Sequence, residues 1–174
     1  MVDNFLTERK IFTLHKALNN PIWRYGWPDK TLPDYIKTAF QIFIAGKKRL
    51  ENGCAEEELA QNPDFGLLIE IWQRAKQDHM PINSNLLGVY ANGQVFGQDA
   101  PIHRDNRPGE EGMTLVLFAN PHWPVAWGGA LQFYDKNRED IVKSVLPKPG
   151  RAVFFLEALL TMLIHPTHPH YKCE

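Results

Sequence analysis

The chain has 174 residues, with 19 Lys+Arg against 20 Asp+Glu and a formal net charge of −1. That balance argues against a nucleic-acid binder held by phosphate neutralisation, which needs a basic excess or stripe. At 44% hydrophobic and 22% charged, the composition excludes a disordered or collagen-like chain. It predicts a single domain over residues 1–174, able to bury a core without disulfide staples.

The two cysteines, Cys54 and Cys173, lie far apart and suggest no disulfide framework, so a reducing, cytoplasmic setting is expected. The start, Met1-Val2-Asp3-Asn4, lacks the basic segment and apolar run of a secretory signal, and no apolar stretch approaches the ~20 residues that span a bilayer.

Residues 5–18 carry Phe5, Leu6, Ile11, Phe12, Leu14 and Leu18 at mostly three- and four-residue steps, which predicts an amphipathic helix. An aromatic loop with Trp23, Tyr25 and Trp27 follows. Ile36, Phe40, Phe43 and Ile44 predict a second helix over 33–50, stopped by Asn52-Gly53. A third helix is expected from Pro63 through Phe65, Leu68, Ile69, Trp72 and Ala75 to Asp78. Residues 1–80 thus form a mainly helical support.

After Pro81 the pattern shifts to short β-prone runs separated by Gly, Pro, Asn and Asp. Strands are expected near 84–91, 99–105, 112–119, 129–134, 141–146 and 151–156, with another approaching His165. Such spacing suggests a sandwich or barrel over 81–174, with the helices packed outside it. The class is α+β, mainly β.

Chemistry concentrates in Ile102-His103-Arg104-Asp105. On a strand, residues i and i+2 share a face, so the His103 imidazole and the Asp105 carboxylate can converge on one small cation while Arg104 points away. Taken alone, the pair reads more readily as a solvated strand end. Its company is more specific: Trp127-Gly128-Gly129-Ala130-Leu131, then Pro147-Lys148-Pro149-Gly150-Arg151, then His165-Pro166-Thr167-His168-Pro169-His170.

In this order the motifs resemble the iron(II)- and 2-oxoglutarate-dependent dioxygenases, in the branch like the prolyl hydroxylases. The resemblance covers roughly residues 84–174. It implies a double-stranded β-helix (jelly-roll, cupin-like) core and an iron site of His103, Asp105 and His165. Two imidazoles and one carboxylate on one face form the facial triad of non-haem iron, leaving positions open for an oxoacid and dioxygen. It also implies Fe(II) as cofactor, 2-oxoglutarate as cosubstrate, ascorbate as an accessory reductant, and Tyr90 and Thr114 as cosubstrate-binding residues. The reaction implied is hydroxylation of an unactivated C–H bond of a small molecule or protein side chain, with release of succinate and carbon dioxide.

Several positions keep a second reading. His168 and His170 compete with His165 as the distal ligand, and a His-rich surface tail is the plainer alternative. Tyr90 serves equally as a core or edge tyrosine, and Thr114 reads more readily as a strand residue on the polar face. The aromatic loop, His122 and Trp123 are candidates for a pocket edge or for packing. Arg104, Arg107, Glu110 and Glu111 are candidates for substrate selection or for solvated loop charge.

The family's Arg or Lys nine or ten residues past the distal His, which pairs the far carboxylate of 2-oxoglutarate, has no counterpart: Lys172 is at plus seven. Either a closing strand follows residue 174, which is the expectation, or a different group binds that carboxylate. Phe118 replaces a tyrosine that helps bind the same carboxylate in a subset of the family. A non-catalytic cupin-like binding module and a zinc-dependent hydrolase are the rival functions.

Overall fold

A computed structural model describes residues 1–26, 40–46, 55–98, 100, 102–105 and 112–156, with the backbone of 160–163 and 172–173. The first helix, α1 (Glu8–Leu18), starts where Thr7 takes an extended conformation and its hydroxyl accepts from the Lys10 amide. That cap satisfies one of the N–H groups a helix start leaves open. Ile11, Leu14 and Leu18 bury the apolar stripe.

Two short strands follow, β1 (Arg24–Tyr25) and β2 (Phe40–Ala45), then α2 (Ala55–Ala60) and α3 (Leu67–His79). The remaining strands are β3 (Val89–Gln94), β4 (Met113–Leu117), β5 (Leu131–Tyr134), β6 (Ile141–Val145), β7 (Ala152–Leu156), β8 (Leu160–Leu163) and β9 (Lys172–Cys173). They pair antiparallel in three small sheets, ordered β1-β2-β3-β9, β4-β7 and β6-β5-β8.

The helix expected over 33–50 is corrected by β2. Phe40, Ile42 and Ile44 alternate with Gln41 and Phe43, and their branched and aromatic side chains suit a half-buried pleated surface. The short apolar run fitted both periods, and pairing with β3 decided for the strand. The third helix begins at Leu67, four residues later than Pro63, because Asn62 caps a turn there by accepting from the Asp64 and Phe65 amides. Helix α2 had no counterpart among the sequence expectations. Residues 33–39 and 47–54 lie outside the described residues.

Strand alternation sorts the side chains into two cores. Ile42 and Ile44 of β2, Val89 and Ala91 of β3, Leu115 and Leu117 of β4, and Ala152 and Phe154 of β7 pack towards the helices with Phe5, Ile11, Leu14, Leu59 and Ile71. On the opposite face, Val116, Phe118, Val153 and Phe155 join Leu131 and Phe133 of β5 and Val145 of β6. Both β2-β3 and β4-β7 therefore turn one face to the helices, and on β4-β7 the other face carries the second core.

The N-terminus is clasped onto this scaffold. Val2 and Ala152 exchange backbone hydrogen bonds of 2.8 and 2.9 Å. Arg151 grips Asp3 through Nε at 2.6 Å and Nη2 at 3.0 Å, and Lys148 adds a contact at 3.0 Å. These cations hold the Asp3 carboxyl well below the usual carboxylate range. The Pro147 to Arg151 turn thus has a structural use: Gly150, at φ +67°, passes so close to Leu6 and Ile11 that no side chain fits.

No sheet among the described residues is closed into a barrel; the observed class is mixed helix and strand with three small antiparallel sheets. Among the described residues, no helix is long and apolar enough to cross a membrane.

Candidate metal centre

His103 and Asp105 come together as the two-residue spacing predicts. His103 Nε2 lies 3.2 Å from Asp105 Oδ1. The segment carrying them is not the regular strand expected over 99–105: His103 makes an isolated bridge and Asp105 sits at a bend, while residues 99 and 101 lie outside the described residues. The approach of the two side chains is fixed from β4, where the Thr114 hydroxyl donates to Asp105 Oδ2 at 2.7 Å.

Thr114 is the Cα partner of Phe155, one of the residues of the core facing away from the helices. Opposite residues of an antiparallel pair share a face, so Thr114 lies on that side. The His103–Asp105 pair is thus positioned from the face of β4-β7 that looks away from the helices.

Exposure differs within the pair. The Asp105 side chain is 16% exposed and His103 is 47% exposed, so the carboxylate is anchored inward and the imidazole stands at the rim. A carboxylate oxygen and an imidazole nitrogen facing each other are donors that suit a divalent first-row metal. Thr114 supplies the outer hydrogen bond that ligating carboxylates ordinarily make. Among the described residues no third His, Cys, Asp or Glu joins them. His165, His168 and His170 lie outside the described residues, as do Trp27, Arg107, Glu110 and Glu111.

Tyr90 stands on the face of β3 away from the helices, 39% exposed, its ring tilted against Phe43 at 6.1 Å. Other candidates have packing roles. Trp23 donates from Nε1 to the Leu18 carbonyl at 2.7 Å, and its ring lies over Gly93. Tyr25 is 62% exposed and meets Phe40 edge to face. Trp123 donates to the Gly128 carbonyl at 2.9 Å, and with His122 it packs on Trp127 beside the Gly128-Gly129 turn. Phe118 is fully buried in the second core, which explains its apolar side chain there.

Sequence reasoning missed a polar row on the same face as Tyr90. Asn92 and Gln94 follow it at alternate positions, and Gln41 is the Cα partner of Asn92. The signal was present as polar residues at 90, 92 and 94 within a strand that buries Ala91. It is hidden in the sequence because the run Phe40 to Ile44 of the partner strand fits a helical period as well as a strand period.

Comparison with known proteins identifies the superfamily and the fold. Residues 87–174 match the sequence profile of the 2OG-Fe(II) oxygenase superfamily. A prolyl-4-hydroxylase from Pseudomonas putida is similar in structure, with a TM-score of 0.65 at 14% identity over 98% of this chain and 86% of that one. A Trichoplax adhaerens prolyl hydroxylase, solved with a peptide of a hypoxia inducible factor oxygen degradation domain, gives 0.64 at 17% identity over 99% and 79%. The viral collagen prolyl hydroxylase of Paramecium Bursaria Chlorella virus-1, in its 2OG complex, gives 0.66 at 12% identity over 99% and 90%. At these identities the likeness is one of fold. No curated protein sequence matches the chain.

Proposed function

We propose that this protein is an iron(II)- and 2-oxoglutarate-dependent hydroxylase, on the premise that the chain belongs to the 2OG-Fe(II) oxygenase superfamily, in its prolyl-hydroxylase-like branch. The single observation that carries the reading is the meeting of His103 Nε2 and Asp105 Oδ1 at 3.2 Å, braced by Thr114. In this reading the three sheets are parts of a double-stranded β-helix, and His165 is the third ligand. The donor set fits iron: an imidazole and a carboxylate are present together, and the carboxylate has its outer hydrogen bond.

When bound, Fe(II) with dioxygen and 2-oxoglutarate supplies the oxidising chemistry, yielding succinate and carbon dioxide as the substrate C–H bond is hydroxylated. The chain's own work is placement. Thr114 keeps one Asp105 oxygen engaged, so the other is presented towards His103 in a fixed direction. Tyr90 offers a phenol hydroxyl to the cosubstrate from β3, and Thr114 borders the same space from β4. The buried side chains of Phe118, Phe133 and Phe155 close the end of the core beyond them and keep water from entering that way. Ascorbate would keep the iron reduced between turnovers. The substrate is a small molecule or a protein side chain.

The test is succinate formation from 2-oxoglutarate by the full chain with Fe(II) and air. The reading predicts succinate that depends on both Fe(II) and oxygen and falls to background in Asp105→Ala. Zinc-supported, oxygen-independent hydrolysis of ester or amide substrates by the same chain would replace it with a hydrolase.

A further inference from the structure

The side-chain oxygens Oε1 of Gln41, Oδ1 of Asn92 and Oε1 of Gln94 are buried and have no hydrogen-bond partner among the described residues. Gln41 and Gln94 are only 4% and 3% exposed. Roughly 90% or more of buried polar groups are paired, so three unpaired acceptors in one place call for an explanation. They are together by construction of the sheet. Gln41 and Asn92 are directly opposed between β2 and β3, and Gln94 follows Asn92 on the same face of β3.

That face is the one β2-β3 turns away from the helices, as Ile42, Val89 and Ala91 occupy the other. It also carries Tyr90. The β4-β7 sheet presents Thr114, and through it Asp105, on its own face away from the same helical core. The acceptors and the His103–Asp105 pair are therefore each carried on the face that their own sheet turns away from the helical core.

The orientation of Gln41 is not interchangeable. Its Nε2 donates to the Gly26 carbonyl at 2.6 Å, and a carbonyl cannot accept from Oε1, so the oxygen is what Gln41 presents. Leaving such an oxygen unpaired forfeits the hydration it would have in water with nothing in return. The cosubstrate does not answer this need, because a dianionic oxoacid offers acceptors only. Nor is a cation favoured, since the exposed Arg24 is the Cα partner of Gln41 and continues the same row.

We propose that Gln41, Asn92 and Gln94 form the hydrogen-bond-accepting wall of the substrate pocket, and that the substrate they receive presents a neutral N–H or O–H donor, as a carboxamide or alcohol does. The proposal rests on the oxygenase reading only for naming this space the substrate pocket; the donor preference stands on the buried oxygens.

Three probes of one carbon skeleton test it: glutaramide, which donates; N,N,N′,N′-tetramethylglutaramide, which keeps the carbonyls but has no N–H; and glutarate, which only accepts. Their binding to the full chain is titrated by ligand-observed NMR. Glutaramide should bind at least about tenfold more tightly than either of the others, the difference one satisfied buried acceptor makes. In Gln94→Met and Asn92→Leu this preference should fall at least about threefold, with the melting temperature unchanged or raised, because an unpaired buried oxygen has been removed.

No preference for glutaramide, absence of binding included, overturns the proposal. A lowered melting temperature with the preference intact in both variants also overturns it, since the oxygens would then be structural. Succinate formation is measured separately on the unaltered chain. If succinate is absent but the preference is present, only the oxygenase reading fails; if succinate is present without the preference, only the wall fails.

Discussion

Thr114 on β4 donates its hydroxyl to Asp105 Oδ2 at 2.7 Å, while the other oxygen of that carboxylate lies 3.2 Å from His103 Nε2. A strand residue nine positions downstream thus fixes the direction in which the acid presents itself. Removing the hydroxyl frees the carboxylate to rotate and leaves an isosteric methyl beside it. Thr114→Val should weaken Fe(II) binding about ten- to hundredfold, the usual loss for an outer hydrogen bond to a metal ligand, with little change in melting temperature. Thr114→Ser restores the donor and should restore most of the affinity. Anaerobic titration calorimetry of the two variants checks both.

The clasp of Asp3 by Arg151 and Lys148 predicts a pH dependence of stability. The folded-state Asp3 pKa lies below its unfolded value, so the contribution is fully present above about pH 4 and is lost as the pH falls through the folded value. The Asp3 side chain is 36% exposed, so solvent screens the pair and the effect is modest. Asp3→Asn should lower the melting temperature at pH 7 by roughly 2–4 °C, equivalent to about 1 kcal/mol. Its deficit should shrink progressively as both proteins are carried from about pH 4 down towards the folded value. Thermal melts across this range measure it.

Gly150 has φ +67°, and a Cβ there would stand 2.8 Å from Ile11 Cδ1 and 2.9 Å from the Leu6 carbonyl oxygen. The backbone oxygen cannot yield as a side chain can, because the Leu6 amide is itself bonded to the Gly150 carbonyl at 3.2 Å. Gly150→Ala should destabilise by about 1–3 kcal/mol in a urea melt. Gly97→Ala is the control: it also has φ +81° but meets nothing within 4 Å, so only the backbone cost, about 1 kcal/mol, should remain.

Most of the second half of the fold was legible because its strands are short, rich in β-branched and aromatic residues and separated by strong turn residues. The expected 112–119, 129–134, 141–146 and 151–156 correspond to β4, β5, β6 and β7. The first half was less so. In β2, the run Phe-Gln-Ile-Phe-Ile satisfies either periodicity over so few residues, and only the long-range pairing with β3 resolves it. At the site, the neighbourhood of His103 and Asp105 followed from spacing alone, and Thr114 from its place in the motif order. The tie between Thr114 and Asp105 did not, because it is a tertiary contact between a loop and a strand. The buried amides were invisible for the same reason: a glutamine in a presumed helix gives no hint that its oxygen faces an asparagine across a sheet.

The most direct test of the iron centre is anaerobic Fe(II) binding by the full chain, compared among the unaltered protein, His103→Ala, Asp105→Ala and His165→Ala. One iron per chain is expected for the unaltered protein, with affinity reduced at least about a hundredfold in each of the three variants and the fold retained by circular dichroism. Undiminished iron binding by His103→Ala or Asp105→Ala would contradict the account, since the pair that meets at 3.2 Å would then not be what holds the metal.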